Sequence, residues 1–405
     1  SETGQTKAMV GGREEPTQRK LWNRAYQSHM EVGSSIKPLS IYAPALEMGA
    51  SPANVHLNYE AAIEGYGGER GYPKGGLKNQ GPVTMREGVR RALNGVAART
   101  LYGTVGVDRA TQTLEQRGVP SGGINPDGPG LALGTSVVSP LEMAAAYATL
   151  ANGGMYLEPI SFTRVESSDG TVILDAERLR ERRQVFSPAT AWLMTDMLSD
   201  AVNSGTGSRA KISGMHVAGK TGTNSDYRSV YFAGYTPYYA SSLWIGHDDG
   251  RNKLKSGASG GTFAATLWQA YMEEIHREKT DKDFFQVSPE ELGLVKRDIC
   301  TVSGKLATEA CHADAGHKPV SDWVQFRNAP TESCDMHQSV QVSEQTGTLL
   351  PPDATVTAKA GVMAVVPEGR AWAAISAEHM QDTAHNPVPR RQRADSQTHR
   401  TDWCR

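Results

Sequence analysis

The chain has 405 residues, room for one large domain with one or two small ones, and a formal net charge of -2 that gives no pull towards nucleic acid. Its 42 glycines fit a loop-rich α/β protein better than a helical bundle, and no run of about 18 apolar residues offers a membrane span. All four cysteines, Cys300, Cys311, Cys334 and Cys404, fall in the C-terminal part of the chain.

The chain opens at Ser1-Glu2-Thr3-Gly4 with no initiator Met and no signal peptide, as expected of a fragment or mature piece whose targeting information lies upstream. Residues 4–11 predict a strand leading into Gly11-Gly12, and 20–32 a connecting stretch. A helix starts at Ser34, where Pro38 is tolerated only within the first turn. From Gly49 to Gly81 the sequence is rich in Gly, Pro, Asn and Tyr, which predicts irregular surface structure of the kind that rims a cleft.

Residues 84–102 return to helical periodicity, with Thr84 and Glu87 spaced as a capping box, and a second helix covers 107–117. Ser139-Pro140-Leu141-Glu142 opens another, running to Ala151. Residues 162–165 and 172–174 flank Asp169-Gly170 as a hairpin, and Ser187-Pro188 starts a helix reaching about Val202. Lys220-Thr221-Gly222-Thr223 lies on a strand, followed by a hairpin of 230–235 and 241–246 in one antiparallel sheet. The helix of 262–279 carries Phe263, Leu267, Tyr271 and Ile275 on one stripe, which predicts core packing. Past Glu290 the character changes. Residues 295–345 hold three cysteines and few helix signals, 351–380 have room for a strand or two, and from Gln381 the tail is polar, with Arg390-Arg391-Gln392-Arg393 reading as solvated.

Two motifs carry chemistry. Ser34 and Lys37 form S-x-x-K, a spacing that puts both side chains on one face, whereas Ser35 points elsewhere. Near the positive end of a helix, Ser34 is the candidate nucleophile and a crowded, deprotonated Lys37 its base. S-x-x-K alone has little specificity; followed by Lys220-Thr221-Gly222 it becomes a signature pair. A Lys-Thr-Gly strand can pair with an extended peptide, with Gly222 admitting close backbone approach. Lys220, Thr221 and Thr223 can hold a carboxylate, and backbone N–H groups of that strand and of Ser34 can form an oxyanion hole.

Residues 4 to about 280 resemble the transpeptidase domain of class A, bifunctional penicillin-binding proteins. The resemblance runs through Ala8-Met9-Val10-Gly11-Gly12-Arg13, Asn23-Arg24-Ala25, Gly33-Ser34-Ser35-Ile36-Lys37-Pro38, Ser139-Pro140-Leu141-Glu142, Gly205-Thr206-Gly207, Gly219-Lys220-Thr221-Gly222-Thr223 and Phe232-Ala233-Gly234-Tyr235-Thr236-Pro237. Residues 300–311 also resemble the C-terminal extension of some members. It implies the α/β (α+β) penicillin-binding-protein and serine β-lactamase fold, a central antiparallel sheet flanked by helices. The expected division is 1–290 transpeptidase, 291–350 a small Cys-containing module, and 351–405 an extension, disordered from about 381.

The implied function is peptidoglycan D,D-transpeptidation. Ser34 attacks the D-Ala-D-Ala bond of a stem peptide, releases D-alanine and passes the acyl group to a neighbouring stem; β-lactams acylate the same serine. The implied site is Ser34, Lys37, Asn94 and Lys220 for catalysis and Thr221, Gly222 and Thr223 for substrate, with no metal and no cofactor. The implied setting is the extracytoplasmic face of a bacterial membrane, with a glycosyltransferase domain and a membrane helix upstream of this chain. One departure stands out. The second family motif, S-x-N, reads Ala92-Leu93-Asn94 here. In the family that serine relays a proton to the leaving amine, so water or another group must replace it.

Two alternatives stay open. One is a serine β-lactamase, for which no motif nominates a hydrolytic base; the other is a degenerate domain that binds peptidoglycan or partners without catalysis. For the cysteines, a disulfide between two of Cys300, Cys311 and Cys334 is the expectation, with Cys404 free. The alternative is a metal site drawn from Cys300, Cys311, His312, His317, Cys334 and His337, although no C-x-x-C pair is present.

Overall fold

Three antiparallel strands present the Lys-Thr-Gly motif: β1 (Ala218–Thr223), β2 (Ser229–Tyr235) and β3 (Ala240–Gly246), in the order β3-β2-β1 with Lys220 opposite Ala233. The computed structural model describes residues 2–15, 17–59, 62–66, 73, 81–224, 226–345, 350, 358–365 and 400–401. Most of the Gly- and Tyr-rich run at 66–73, most of 351–380, the Arg390–393 cluster and Cys404 lie outside the described residues.

Strand β2 is buried along its whole length because both faces of the sheet are covered. Its alternation decides which side chain goes where: Tyr231, Ala233 and Tyr235 enter the main core, while Val230 and Phe232 enter a second one. The helices that supply these layers are α1 (Met85–Arg91), α2 (Asn94–Thr100), α3 (Val107–Glu115), α4 (Pro140–Ala151), α5 (Pro188–Ser204) and α6 (Ala265–Ile275). Helix α4 begins with a full capping box between Ser139 and Glu142, as its sequence predicts.

Through the main core runs the segment carrying S-x-x-K. It starts as a 3-10 turn (Gly33–Ile36), continues as a π turn (Pro38–Tyr42) and ends as an α turn (Ala43–Glu47). Ile36, Leu39, Ile41, Tyr42, Ala43 and Leu46 are all buried, so the segment is held mainly by packing, with buried hydrogen bonds from Tyr147 and Gln325 to two of its carbonyls. Pro38 and Pro44 remove backbone donors, which fits the mixture of turn types.

Four expectations are corrected. Residues 4–11 form no strand: Gln5 makes one bridge to Ile160, and the Gly11 carbonyl is taken by the backbone and side chain of Arg24, leaving no ladder to join. The helix expected over 84–102 breaks into α1 and α2 at Ala92-Leu93. On α6 the buried face is Ala265, Trp268 and Met272; of the expected stripe Tyr271 packs against the second core, while Leu267, Ile275 and, just before the helix, Phe263 are 50%, 49% and 44% exposed. Trp268 sets that phase, packing tilted against Phe232 with 5.0 Å between ring centroids and donating its indole N–H to the Ser241 carbonyl.

The fourth concerns the cysteines. Cys300, Cys311 and Cys334 are free thiols rather than disulfide partners, because all three sulfurs converge on the His337 ring instead of closing on one another. They lie in a region built from β4 (Leu294–Ile299) paired with β5 (Val320–Gln325), and β6 (His337–Ser343) paired with β7 (Ala358–Val365). This region is fastened to the helices. Arg86 of α1 makes a two-pronged contact with buried Asp322 at 2.5 and 2.8 Å, and also meets Asp196 and Asp200 of α5 at 2.6 Å each. Trp323 packs edge-on against Trp192, and the Gln325 amide donates to the Leu46 carbonyl at 2.9 Å.

Candidate active site

Gly33 has φ +56, a left-handed backbone that a side chain disfavours, and a Cβ there would lie 2.8 Å from the Thr223 backbone nitrogen. The 3-10 turn is therefore pressed against strand β1. Gly222 makes the same contact from the other side, since a Cβ on it would meet the Val32 carbonyl oxygen at 2.0 Å. Gly222 was expected to make room for a substrate backbone. The space it vacates is filled by the Val32 carbonyl, at the start of the turn that carries Ser34.

On a 3-10 turn, residues three apart eclipse, so Ser34 and Lys37 share one side of the turn. The Lys37 backbone N–H closes the turn on the Ser34 carbonyl. Ser35 points away: its hydroxyl donates to the Val32 carbonyl at 2.6 Å, and its own carbonyl accepts from the Tyr147 hydroxyl at 2.6 Å. Ser34 lines a cleft of about 410 Å³, together with Ala92, Thr206, Arg209, Thr221 and Thr223.

Beneath the cleft floor lie two buried lysines. Lys37 donates to the Asn94 side-chain oxygen at 2.5 Å; burial, then the charge of Lys220, pushes its pKa down to about 7. Burial alone pushes Lys220 down to about 7, with its amine near the Thr221 carbonyl at 3.2 Å and the Thr221 hydroxyl at 3.3 Å. No acidic group among the described residues offsets either charge. A lysine held this way is half neutral near pH 7 and can accept a proton from a hydroxyl beside it.

The Thr221 hydroxyl meets that of Thr206 at 2.9 Å, and Thr223 accepts from the Gly260 backbone at 2.9 Å. Strand β1 is the edge of the sheet, so alternate backbone groups face away from β2. The residues expected at the site, Ser34, Lys37, Asn94, Lys220, Thr221 and Thr223, thus lie together, with Gly222 in a packing position. Thr206 and Arg209 were not assigned to the site in the sequence; Gly205-Thr206-Gly207, beside the end of α5, was the available signal.

Ala92 has φ 57 and ψ 44 and ends α1 in a Schellman turn: the Ala92 N–H reaches the Val89 carbonyl and the Leu93 N–H that of Gly88. That left-handed turn places Ala92 on the cleft wall and starts α2 at Asn94.

A second polar cluster, Cys300, Cys311, Cys334 and His337, is buried and has its candidate ligand atoms within 4.8 Å of one another. It belongs to the C-terminal region and shares no residue with the cleft. Among the described residues, no helix is long and apolar enough to cross a membrane.

Comparison with known proteins bears on both regions. Residues 1–268 match the penicillin binding protein transpeptidase domain, and residues 291–339 match the penicillin-binding protein 1A C-terminal domain. Penicillin-binding protein 1A of Clostridium perfringens is 33% identical over 361 residues, covering 84% of this chain and 41% of that protein. The crystal structure of penicillin-binding protein 1A from Haemophilus influenzae superposes with a TM-score of 0.66 at 25% identity, over 77% of this chain and 50% of that one. The PonA1 protein from Mycobacterium tuberculosis in complex with penicillin V shares the fold, with a TM-score of 0.57 at 23% identity over 66% of this chain and 75% of that one. The chain spans less than half the length of its clostridial relative. By the extent of the domain match and the identity to its relatives, it belongs to the penicillin-binding-protein transpeptidase family, with the α/β fold of that family.

Proposed function

We propose that this chain is a peptidoglycan D,D-transpeptidase that works through an acyl-enzyme on Ser34. Neutral Lys37 takes the Ser34 proton as Oγ bonds to the penultimate D-alanine carbonyl carbon of a stem peptide. Backbone N–H groups of Ser34 and of the Thr223 region receive the oxyanion. The tetrahedral adduct collapses as the scissile C–N bond breaks, the leaving amine takes the proton from the lysine pair, and D-alanine departs. An amine of a second stem then attacks the ester, forming the cross-link and returning the proton to Ser34. Strand β1 pairs with the extended donor strand, and Lys220, Thr221 and Thr223 hold the terminal carboxylate.

A single observation carries the assignment: a serine on a cleft wall, backed by a buried, half-neutral lysine that is itself bonded to Asn94. A β-lactam presents a strained amide beside a carboxylate and would acylate the same serine. The chain would act on the extracytoplasmic side of a bacterial membrane, tethered by a segment upstream of it. Residues 1–290 would form the catalytic domain, 291–350 a small module and 351–405 an extension.

The second reading, a degenerate binding domain, is favoured by Ala92 alone. Labelling with a fluorescent penicillin and intact-protein mass spectrometry separates the two. The wild type and Ser35→Ala should carry one stable adduct and Ser34→Ala none. No adduct on the wild type would favour the binding domain, and an adduct on Ser34→Ala would move the nucleophile elsewhere.

A further inference from the structure

The C-terminal region has too little apolar material to hold its own turns. Its local core is Cys300, Val302, Cys311, Cys334 and Met336, so three of the five buried residues are cysteines. A core this small usually needs a staple, either disulfides or a metal. The geometry decides between them.

The sulfurs of Cys300, Cys311 and Cys334 lie 3.4, 3.5 and 3.5 Å from one atom, His337 Nδ1. Cys300 and Cys334 sulfurs are 3.5 Å apart. A disulfide needs about 2.05 Å between two sulfurs and gives the third thiol and the imidazole nothing to do. A tetrahedral ion with Zn–S about 2.3 Å and Zn–N about 2.0–2.1 Å has S–S edges of about 3.8 Å and S–N edges of about 3.6 Å. The three S–N edges and the Cys300–Cys334 edge already stand within about 0.3 Å of these values, and all four atoms lie within 4.8 Å of one another.

The surroundings fit the same occupant. His337 Nε2 lies 3.0 Å from Oδ2 of Asp314, a buried carboxylate that also accepts from the Gly316 backbone at 2.7 Å and faces His317 Nδ1 at 3.1 Å. A proton held on Nε2 by that carboxylate leaves the Nδ1 lone pair facing the sulfurs, the arrangement that orients metal-binding histidines. Backbone N–H groups of Val302 and Ser303 point at the Cys300 sulfur at 3.4 Å each, and that of Met336 at the Cys334 sulfur at 3.3 Å. Such donors stabilise negative sulfur. The ligands come from a turn after β4, a short helix (Glu309–Ala313) and a Cys334-x-x-His337 hook entering β6.

We propose that Cys300, Cys311, Cys334 and His337 bind one structural zinc ion that fixes the C-terminal region. Three thiolates and an imidazole select a borderline-soft tetrahedral divalent ion, and four protein ligands leave no open position for catalysis. Binding replaces three S–H bonds with Zn–S bonds and releases three protons, so occupancy falls as the pH is lowered.

The test uses the whole chain, purified without chelator or added reductant. Elemental analysis should find about one zinc per chain, and a mercurial that attacks thiolates should release it. Cobalt loading should produce thiolate-to-cobalt charge-transfer bands with tetrahedral d–d absorption. Because Cys300→Ser removes a ligand together with part of the local core, Asp314→Asn serves as the second variant: it keeps all four ligands and should weaken zinc binding by about 10–100-fold. A disulfide between any two of the three cysteines in non-reducing peptide maps would overturn the proposal. So would three free thiols that take up no zinc on titration, or Asp314→Asn binding zinc as tightly as the wild type.

Discussion

The Ser34 cleft and the Cys–His cluster both bury polar side chains, and they do so in opposite ways. In the cleft, Lys37 and Lys220 are buried with no acidic group among the described residues opposing them, and their pKa values fall to about 7. In the cluster, every ligand atom faces another, His337 has Asp314 behind it, and backbone N–H groups point at two of the sulfurs. Uncompensated burial costs stability and creates reactivity; convergent burial removes reactivity and creates a fixed point. The two regions illustrate how one chain can carry both.

The largest expected effect comes from removing the cleft's uncompensated charge. Lys37→Met should slow acylation by penicillin by about 10²–10⁴-fold, the range for losing general-base assistance. It should also change the pH dependence of stability. With a folded pKa near 7 and an unfolded one of about 10.4, the unfolded chain binds the extra proton between those values, so this group makes stability rise with pH across that window. Melting temperatures of wild type and variant should therefore differ most near pH 7, in favour of the variant, and converge as the pH approaches about 10. In the wild type, the acylation rate should climb as pH rises through about 7, as Lys37 loses its proton. Equal pH slopes in both proteins would mean that Lys37 is not held neutral by burial.

A smaller effect is expected at the joint between the regions. Arg86→Leu leaves buried Asp322 without its two-pronged partner, and breaking such a pair costs about 3–5 kcal/mol. The low end applies here, because Asp196 and Asp200 are partly exposed and can turn to water. Denaturant unfolding should show the loss, and limited proteolysis should cut earlier near 290–345. Since α1 leads directly into Ala92-Leu93-Asn94, acylation should slow as well. A variant that keeps both stability and rate would show that the two regions are energetically independent.

The cleft was far more legible in the sequence than the cluster. Short motifs at fixed offsets, Ser34 with Lys37 and Lys220 with Thr221, translate directly into shared faces on a turn and a strand. The cluster draws Cys300 and Cys311 from eleven residues apart and Cys334 from a further stretch, and only the fold brings them together. The Cys334-x-x-His337 hook was a readable signal, but the absence of C-x-x-C drew attention away from it. The stripe on α6 failed for another reason: helical periodicity shows a repeating face, and only the size of Trp268 says which face is buried. At Gly222 the close approach that the sequence marks is made by the Val32 carbonyl, a neighbour that no local motif announces.

The last and smallest effect lies inside the cleft, at Ala92. Its φ of 57 is a position where glycine is ordinarily preferred, and its methyl sits on the wall beside Ser34. Two substitutions separate backbone from chemistry. Ala92→Gly relieves the left-handed strain without adding a donor, so it should leave acylation unchanged and shift stability by about 1 kcal/mol at most. Ala92→Ser adds a hydroxyl where the leaving nitrogen must gain a proton, so it should speed acylation by D-Ala-D-Ala-type donors towards the low end of about 10²–10⁴-fold. Penicillin should gain less, since ring strain already drives its nitrogen away. Stopped-flow acylation with both substrate types resolves the difference. A rate gain in Ala92→Gly would trace the handicap to backbone strain, whereas no gain in Ala92→Ser would mean that the proton reaches the leaving amine by another route, with the buried pair of Lys37 and Lys220 the nearest source.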